Sequence, residues 1–165
     1  MGISLRRASI ADAETIHKLQ VESFLPLLRK YRDYESNPAS DSVERVIARL
    51  KQPQTSFYIV VLDVVPIGAI RVIFDDRVKS ARISPMFIVP SHQGKGYGQE
   101  AIELIESAVQ AEHWELETIL QEKGNCHFYE KNGYRRTGVP REINSKMTIV
   151  SYEKSTGGSR TNERP

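Results

Sequence analysis

Three glycines at alternate positions, Gly94, Gly96 and Gly98, punctuate the segment SHQGKGYG, and no acidic residue occurs from Val89 to Gln99. Backbone without side chains lets a ligand approach closely, and successive N–H groups ahead of a helix attract anions, so this spacing suits phosphate binding. Lys95 could add a positive charge, although lysine is common in any solvated turn. A second run, NCHFYEKNGY, carries Asn125, Cys126, His127, Tyr129 and Gly133. Cysteine beside histidine raises nucleophilic chemistry, but adjacent residues point to different sides of a helix and no ordered acid completes the arrangement. Cys126 therefore reads as packing. Taken alone, Tyr129 reads as a packed aromatic on a helix face. One cysteine and four scattered histidines supply no metal-ligand spacing, so neither a metal nor an internal disulfide is expected.

An anion-binding turn must join a strand to a helix, and both flank the glycines. Ala81 to Val89 reads as a strand that Pro85 interrupts with a bulge or an edge, because proline cannot donate to a ladder. After the turn, a helix is expected to about His113, with Ala101, Ile102, Leu104, Ile105, Ala108 and Val109 on a wide apolar face. A strand over Trp114–Leu120 follows, then a short helix that Gly133 ends in a left-handed conformation. Tyr134–Thr137 and Met147–Tyr152 read as closing strands. Upstream, Ile3–Ala8 alternates as a strand, and Ser9 with Asp12 opens a helix whose face carries Ala13, Ile16 and Leu19. Phe24–Asn37, with Pro26, reads as bent or looped. Asp41 and Ser42 cap a second helix bearing Val43, Val46, Ile47 and Leu50 at helical spacing. FYIVVLD and IGAIRVIF then form two antiparallel strands joined by a turn around Asp63–Pro66.

The order β α α β β β α β α β β predicts an α/β fold with a mixed, mostly antiparallel central sheet and helices on both faces. With 165 residues, 39% apolar and a formal charge of +2, the chain is of ordinary single-domain size and composition. Its apolar runs are too short for a membrane span and its charges too interspersed for a nucleic-acid stripe. The expectations are a cytoplasmic protein, monomeric or homodimeric, with no membrane or nucleic-acid partner. One domain over residues 1–153 is expected, followed by a polar, disordered tail over 154–165.

Two phosphate-binding readings compete for the turn. Gly96, Gly98 and Ala101 satisfy the dinucleotide pattern G-x-G-x-x-A, with Glu117 near the place of its ribose-binding acid. That pattern belongs at the end of the first strand of a parallel unit, whereas here PSHQGK intervenes and antiparallel strands come first. The segment MFIVPSHQGKGYGQEAI resembles motif A of the GNAT superfamily of N-acetyltransferases, with Gln93, Gly96 and Gly98 in its [QR]-x-x-G-x-[GA] signature. NCHFYEKNGY resembles the motif that follows it, with Asn125, Tyr129, Gly133 and Tyr134 in register. The opening ISLRRASIADAETIHKL is similar to that superfamily's first strand and helix, so the resemblance spans Ile3 to Tyr152.

The resemblance implies the acyl-CoA N-acyltransferase fold, with acetyl-CoA in a V-shaped opening between strands ending near Val89 and Leu120. Its pantetheine would pair with Phe87, Ile88 and Val89. Its pyrophosphate would take N–H groups from Gln93, Gly94, Lys95, Gly96, Tyr97, Gly98 and Gln99. Asn125 would contact the cofactor, and Tyr129 would give the leaving thiolate its proton. The reaction implied is direct attack of a primary amine, on a small molecule or a peptide, within a ternary complex. Family members often carry a glutamate on the strand before the turn, but ARISPMF has Arg82 and Ser84 there and no acid. Glu22, Asp33 and Glu35 are alternative proton acceptors, each more readily a solvated charge. Tyr31, Asp33 and Tyr34 are the residues expected to read the acceptor. The missing acid also motivates a second reading, a catalytically idle acyl-CoA-binding module.

Overall fold

Strand-forming and helix-forming segments alternate along the chain as β1 (Ile3–Arg7), α1 (Ala13–Tyr31), α2 (Val43–Leu50), β2 (Thr55–Leu62), β3 (Val65–Asp75), β4 (Ser80–Ile88), α3 (Tyr97–Val109), β5 (His113–Ile119), α4 (Lys123–Lys131), β6 (Arg135–Asn144) and β7 (Met147–Ser155). These come from a computed structural model that describes residues 2–156. The strands form one seven-stranded sheet in the order β1-β2-β3-β4-β5-β7-β6. β4 and β5 run parallel, and the other neighbouring pairs are antiparallel. No helix among the described residues is long and apolar enough to cross a membrane.

Two cores lie on opposite faces of this sheet. Ala13 and Ile16 of α1 and Val46 of α2 pack with Phe57, Ile59, Ala69 and Phe87. Ala101, Ile102 and Ile105 of α3 pack on the other face with Val60, Ile70, Val72, Ile83, Ile88 and Trp114. β4 serves both cores because of a bulge. Its pairing with β3 slips between Val72↔Ile83 and Ile70↔Met86, which leaves Ser84 and Pro85 opposite Arg71. A shift of one residue inverts which side chains face which way, so Ala81 and Ile83 point to the α3 core while Phe87, not Met86, turns to α1. Arg71, 8% exposed, donates to the Ser84 carbonyl at 2.8 Å and to Gln52 Oε1 at 2.9 Å, satisfying an acceptor that the bulge removes from the ladder.

The structure corrects several boundaries. α1 continues through Pro26 to Tyr31, where a bent or looped segment was expected from Phe24 onward. An interior proline costs a helix about 3 kcal/mol. Burial of Leu28 and Tyr31, each worth roughly 2 kcal/mol, offsets it, and Pro26 itself faces solvent. The helix ends when Arg32 adopts a left-handed conformation and its N–H donates to the Leu28 carbonyl. α3 stops at Val109 because Gln110 turns left-handed, short of the expected His113. β6 runs to Asn144, well past Thr137. It is a charged edge strand carrying Pro140, so no apolar alternation marks it. β7 carries Lys154 and Ser155, two residues expected in the tail, and Lys154 pairs with Glu106 at 2.9 Å. Thr156, also expected in the tail, donates to the Glu112 and Ala111 carbonyls at 2.9 and 2.6 Å, and residues 157–165 lie outside the described residues.

Candidate active site

β4 and β5 pair only at Ser80↔His113, Ala81↔Trp114 and Arg82↔Glu115. Beyond Arg82 the bulge carries β4 away, and the two strands open toward Ile88 and Ile119. A cleft of about 480 Å³ lies over this opening. α1 walls it on one side with Ser23, Phe24 and Leu27, α4 on the other with Asn125, Phe128 and Tyr129, and β4 supplies Met86, Phe87 and Ile88 between them. The turn before α3 closes one end with His92, Gln93, Gly94, Gly96, Gly98 and Gln99, and Lys131 joins from the end of α4.

The turn presents donors. Among the described residues, no backbone N–H from Gly94 to Gln99 has a protein acceptor, and the first helical hydrogen bond of α3 runs from Glu100 N–H to the Gly96 carbonyl. Gly94 and Gly96 hold φ of 77° and 88°, conformations that side chains disfavour, and a Cβ on either would meet open space. Gly98 is small for a different reason, since a Cβ there would stand 3.3 Å from the Phe128 ring. The Gln93 amide donates to the Ile88 carbonyl at 2.8 Å and ties the turn back to the strand. Val89 donates to Ile67 across β3 and is buried in the α3 core, so it does not line the cleft. Lys95 and Tyr97 also stand outside the lining.

Tyr129 is one of three tyrosines packed ring to ring, its centroid 6.0 Å from Tyr134 and 6.2 Å from Tyr152. Tyr134 donates to Glu106 and Tyr152 to Glu130, at 2.8 and 2.7 Å. The Tyr129 hydroxyl has no partner among the described residues and faces the cleft. Burial pushes its pKa up to about 12, so it holds its proton at neutral pH. Cys126 is buried behind it with Sγ 3.7 Å from the Ile119 carbonyl, in the packing role its surroundings predict.

The three residues expected to read the acceptor are not in the cleft. The Tyr31 ring is buried and its hydroxyl donates to Glu122 Oε2 at 2.6 Å, beside Lys30 Nζ at 2.8 Å. Burial works against the Glu122 charge, but hydrogen bonds from Lys30 and Tyr31 prevail and hold its pKa below the ordinary range. Asp33 is buried and accepts from the Ser36 N–H and hydroxyl, closing the turn after α1. Tyr34 points to solvent, 61% exposed. Extending α1 through Pro26 moves all three past the cleft and brings Ser23, Phe24 and Leu27 to it instead. Their helical spacing was a usable signal that Pro26 obscured. Met86, His92, Phe128 and Lys131 also line the cleft without having been expected there; all but Lys131 adjoin an expected site residue. Glu22 and Glu35 lie outside the lining, and no cluster of metal-ligating side chains occurs among the described residues.

A model of the acetyltransferase (GNAT) family matches residues 14–134. No curated protein matches the sequence. Among solved structures, a spermidine N-acetyltransferase from Vibrio cholerae in complex with CoA and spermine superposes with a TM-score of 0.74 at 20% identity, covering 93% of this chain and 95% of that one. An acetyltransferase from Salmonella typhimurium that modifies the N-terminal serine of ribosomal protein L7/L12 gives 0.76 at 12% identity, covering 95% and 96%. The PaiA N-acetyltransferase from Thermoplasma acidophilum in complex with coenzyme A gives 0.70 at 19% identity, covering 94% and 99%. At these identities the likeness is one of fold.

Proposed function

From the premise that this chain belongs to the GNAT acetyltransferase family, we propose that it transfers an acetyl group from acetyl-CoA to a primary amine, in the cytoplasm, by direct attack in a ternary complex. The observation that carries this reading is the run of unpartnered N–H groups from Gly94 to Gln99 at one end of the gap between β4 and β5. Such a run at the start of a long helix suits a pyrophosphate, and the open space at Gly94 and Gly96 lets one approach. The unpaired edge of β4 beside Ile88, with Asn125 opposite, suits an extended amide-bearing arm. Bound there, acetyl-CoA would supply the activated thioester carbon.

The rest of the chemistry falls to the chain. β4 and the turn hold the thioester, while α1 and Met86 form the space through which the amine reaches it, so proximity supplies much of the rate. Backbone N–H beyond the bulge is placed to stabilise the negative charge developing on the carbonyl oxygen. Tyr129, protonated and otherwise unpartnered, donates to the departing sulfur. Among the described residues no carboxylate lines the cleft, which keeps one second reading open, an acyl-CoA-binding module without turnover. Thermal unfolding with and without CoA, followed by release of free CoA over an amine panel, separates the two. Stabilisation by CoA, of about 2.7 kcal/mol at a hundredfold excess over Kd, and turnover with an amine are expected. CoA binding with no turnover across the panel favours the module, and no CoA binding refutes both.

A further inference from the structure

The titratable side chains lining the cleft are His92, Tyr129 and Lys131, among the described residues. Burial keeps the proton on Tyr129 at neutral pH, and Lys131 stands with His92 toward the glycine-turn end. His92 belongs to the glycine-turn end, two residues before Gly94, with its Nδ1 3.0 Å from Ser91 Oγ. At the other end stand Phe24, Leu27, Met86 and Phe87, with Phe24 edge-on to Phe87 at 5.5 Å. Ser23 stands beside them, its Oγ buried and without a hydrogen-bond partner. No carboxylate of the flanking elements lines the cleft: Glu22 of α1 is exposed to solvent next to Ser23, and others are held by neighbouring groups. Glu122 takes Tyr31 and Lys30, Glu130 takes Tyr152, Asp33 takes Ser36, and Glu117 lies between Arg82 at 3.4 Å and Arg141 at 3.2 Å.

We propose that the acceptor is a weakly basic α-amino group on an apolar body, the amine of an apolar amino-acid derivative or of a chain end, and that it enters the cleft already neutral. This rests on the acetyltransferase reading and narrows it. Proton balance is the reason. When a neutral amine attacks, the C–N bond forms and the C–S bond breaks; Tyr129 gives its proton to sulfur and regains one from the new amide nitrogen. Nothing is left over. An ammonium ion brings one proton more, which needs an acceptor that the amine end of the cleft does not contain. Apolar walls also favour the uncharged form. α-Amines titrate near 8 and alkylamines near 10.4, so at pH 7 the neutral fraction differs on the order of 200-fold. Phe24, Leu27 and Met86 would take the apolar body.

Steady-state acetylation of four probes tests this, with acetyl-CoA binding measured on the same protein by thermal shift. L-Phenylalaninamide and phenethylamine share an apolar body and differ in basicity, glycinamide lacks the body, and spermidine is a strongly basic polyamine. Expected at pH 7 is a kcat/KM for phenylalaninamide on the order of 100-fold above phenethylamine, converging toward pH 10. An advantage of at least about tenfold over glycinamide is expected too, and Phe24→Ala should narrow it. For phenethylamine, kcat/KM should rise tenfold per pH unit up to that amine's own pKa. A phenylalanine-initiated tetrapeptide run in parallel distinguishes a chain end from a small molecule by which has the larger kcat/KM. A plateau beginning well below the acceptor's pKa would reveal an enzyme base and overturn the inference. So would spermidine turnover equal to phenylalaninamide, or turnover of phenethylamine or spermidine with none of any α-amine. Failure to bind acetyl-CoA, or binding with no turnover of any probe, would instead remove the acetyltransferase reading on which the inference rests.

Discussion

Tyr129, Tyr134 and Tyr152 share one aromatic cluster, and what separates them is the fate of three hydroxyl groups. Two are bound to carboxylates, which fixes them as structural. The third faces the cleft with its proton secured by burial, and a proton donor needs both properties. Tyr129→Phe keeps the ring packing and removes the donor. Its kcat should fall on the order of 100-fold while the KM for acetyl-CoA stays within about twofold, read by steady-state kinetics. Unchanged kcat would end the assignment. The sequence motif already singled out Tyr129 from Tyr134, but the burial and the hydroxyl partners that separate them physically are set by side chains remote in the chain. The same limit misplaced Tyr31. Its aromatic ring in a polar, proline-containing stretch suggested recognition, whereas a carboxylate 91 positions away takes its hydroxyl.

The bulge in β4 and the link between α1 and α4 shape the cleft. Pro85 made the bulge legible from sequence, but its consequences depend on Arg71 and Gly68, which carry no local signal. Burial lowers the Arg71 pKa to about 10, helped by repulsion from Arg49, and the guanidinium is retained there through its bond to the freed Ser84 carbonyl. Gly68 lies where β3 and β4 press together, and a Cβ on it would fall 2.1 Å from the Phe87 carbonyl oxygen. Gly68→Ala must therefore displace β4 at the residues that face the cleft. Expected are a loss of about 2 kcal/mol in urea unfolding and a weaker acetyl-CoA interaction by calorimetry. A midpoint equal to that of the parent would show that the strands have slack that the structure denies them. Opposite the bulge, Glu122 sits at the N-terminal cap of α4 but makes no capping bond to its own helix. Its carboxylate goes to Tyr31 and Lys30 of α1 instead, a bond that joins the two walls of the cleft.

A near-neutral chain of 165 residues hides strongly local electrostatics. One end of the cleft gathers backbone donors, Lys131 and His92, while the tyrosine cluster behind it is held protonated. Burial raises Tyr134 and Tyr152 as well, reinforced by Glu106 and Glu130 respectively. A phenol whose folded pKa exceeds its unfolded value of about 10 contributes its full stabilisation below pH 10 and loses it as pH rises toward the folded value. The protein should therefore show a level urea midpoint from pH 7 to 9 and a falling one above 10. Tyr129 alone accounts for about 1 kcal/mol by pH 11, which Tyr129→Phe should remove from the slope. A midpoint that stays level to pH 11 would contradict the buried, protonated cluster.

The order of elements, the mixed sheet, the glycine turn and the two family motifs are all properties of short segments, and the sequence determined them. Periodicity placed α2, β-branched and aromatic residues placed β2, glycines at alternate positions marked the turn, and Pro85 marked the bulge. The composition of the cleft was decided elsewhere. Pro26 obscured the continuation of α1 because the burial that offsets its cost includes Tyr31 packing on Ile119 and Met147 of distant strands, and β6 gave no pattern because an edge strand need bury nothing. Which side chains meet across the gap, and which carboxylates are already taken, depends on contacts between residues far apart in the chain. Those contacts depend on the bulge that parts β4 from β5, so the make-up of the apolar end of the cleft came from the tertiary structure alone.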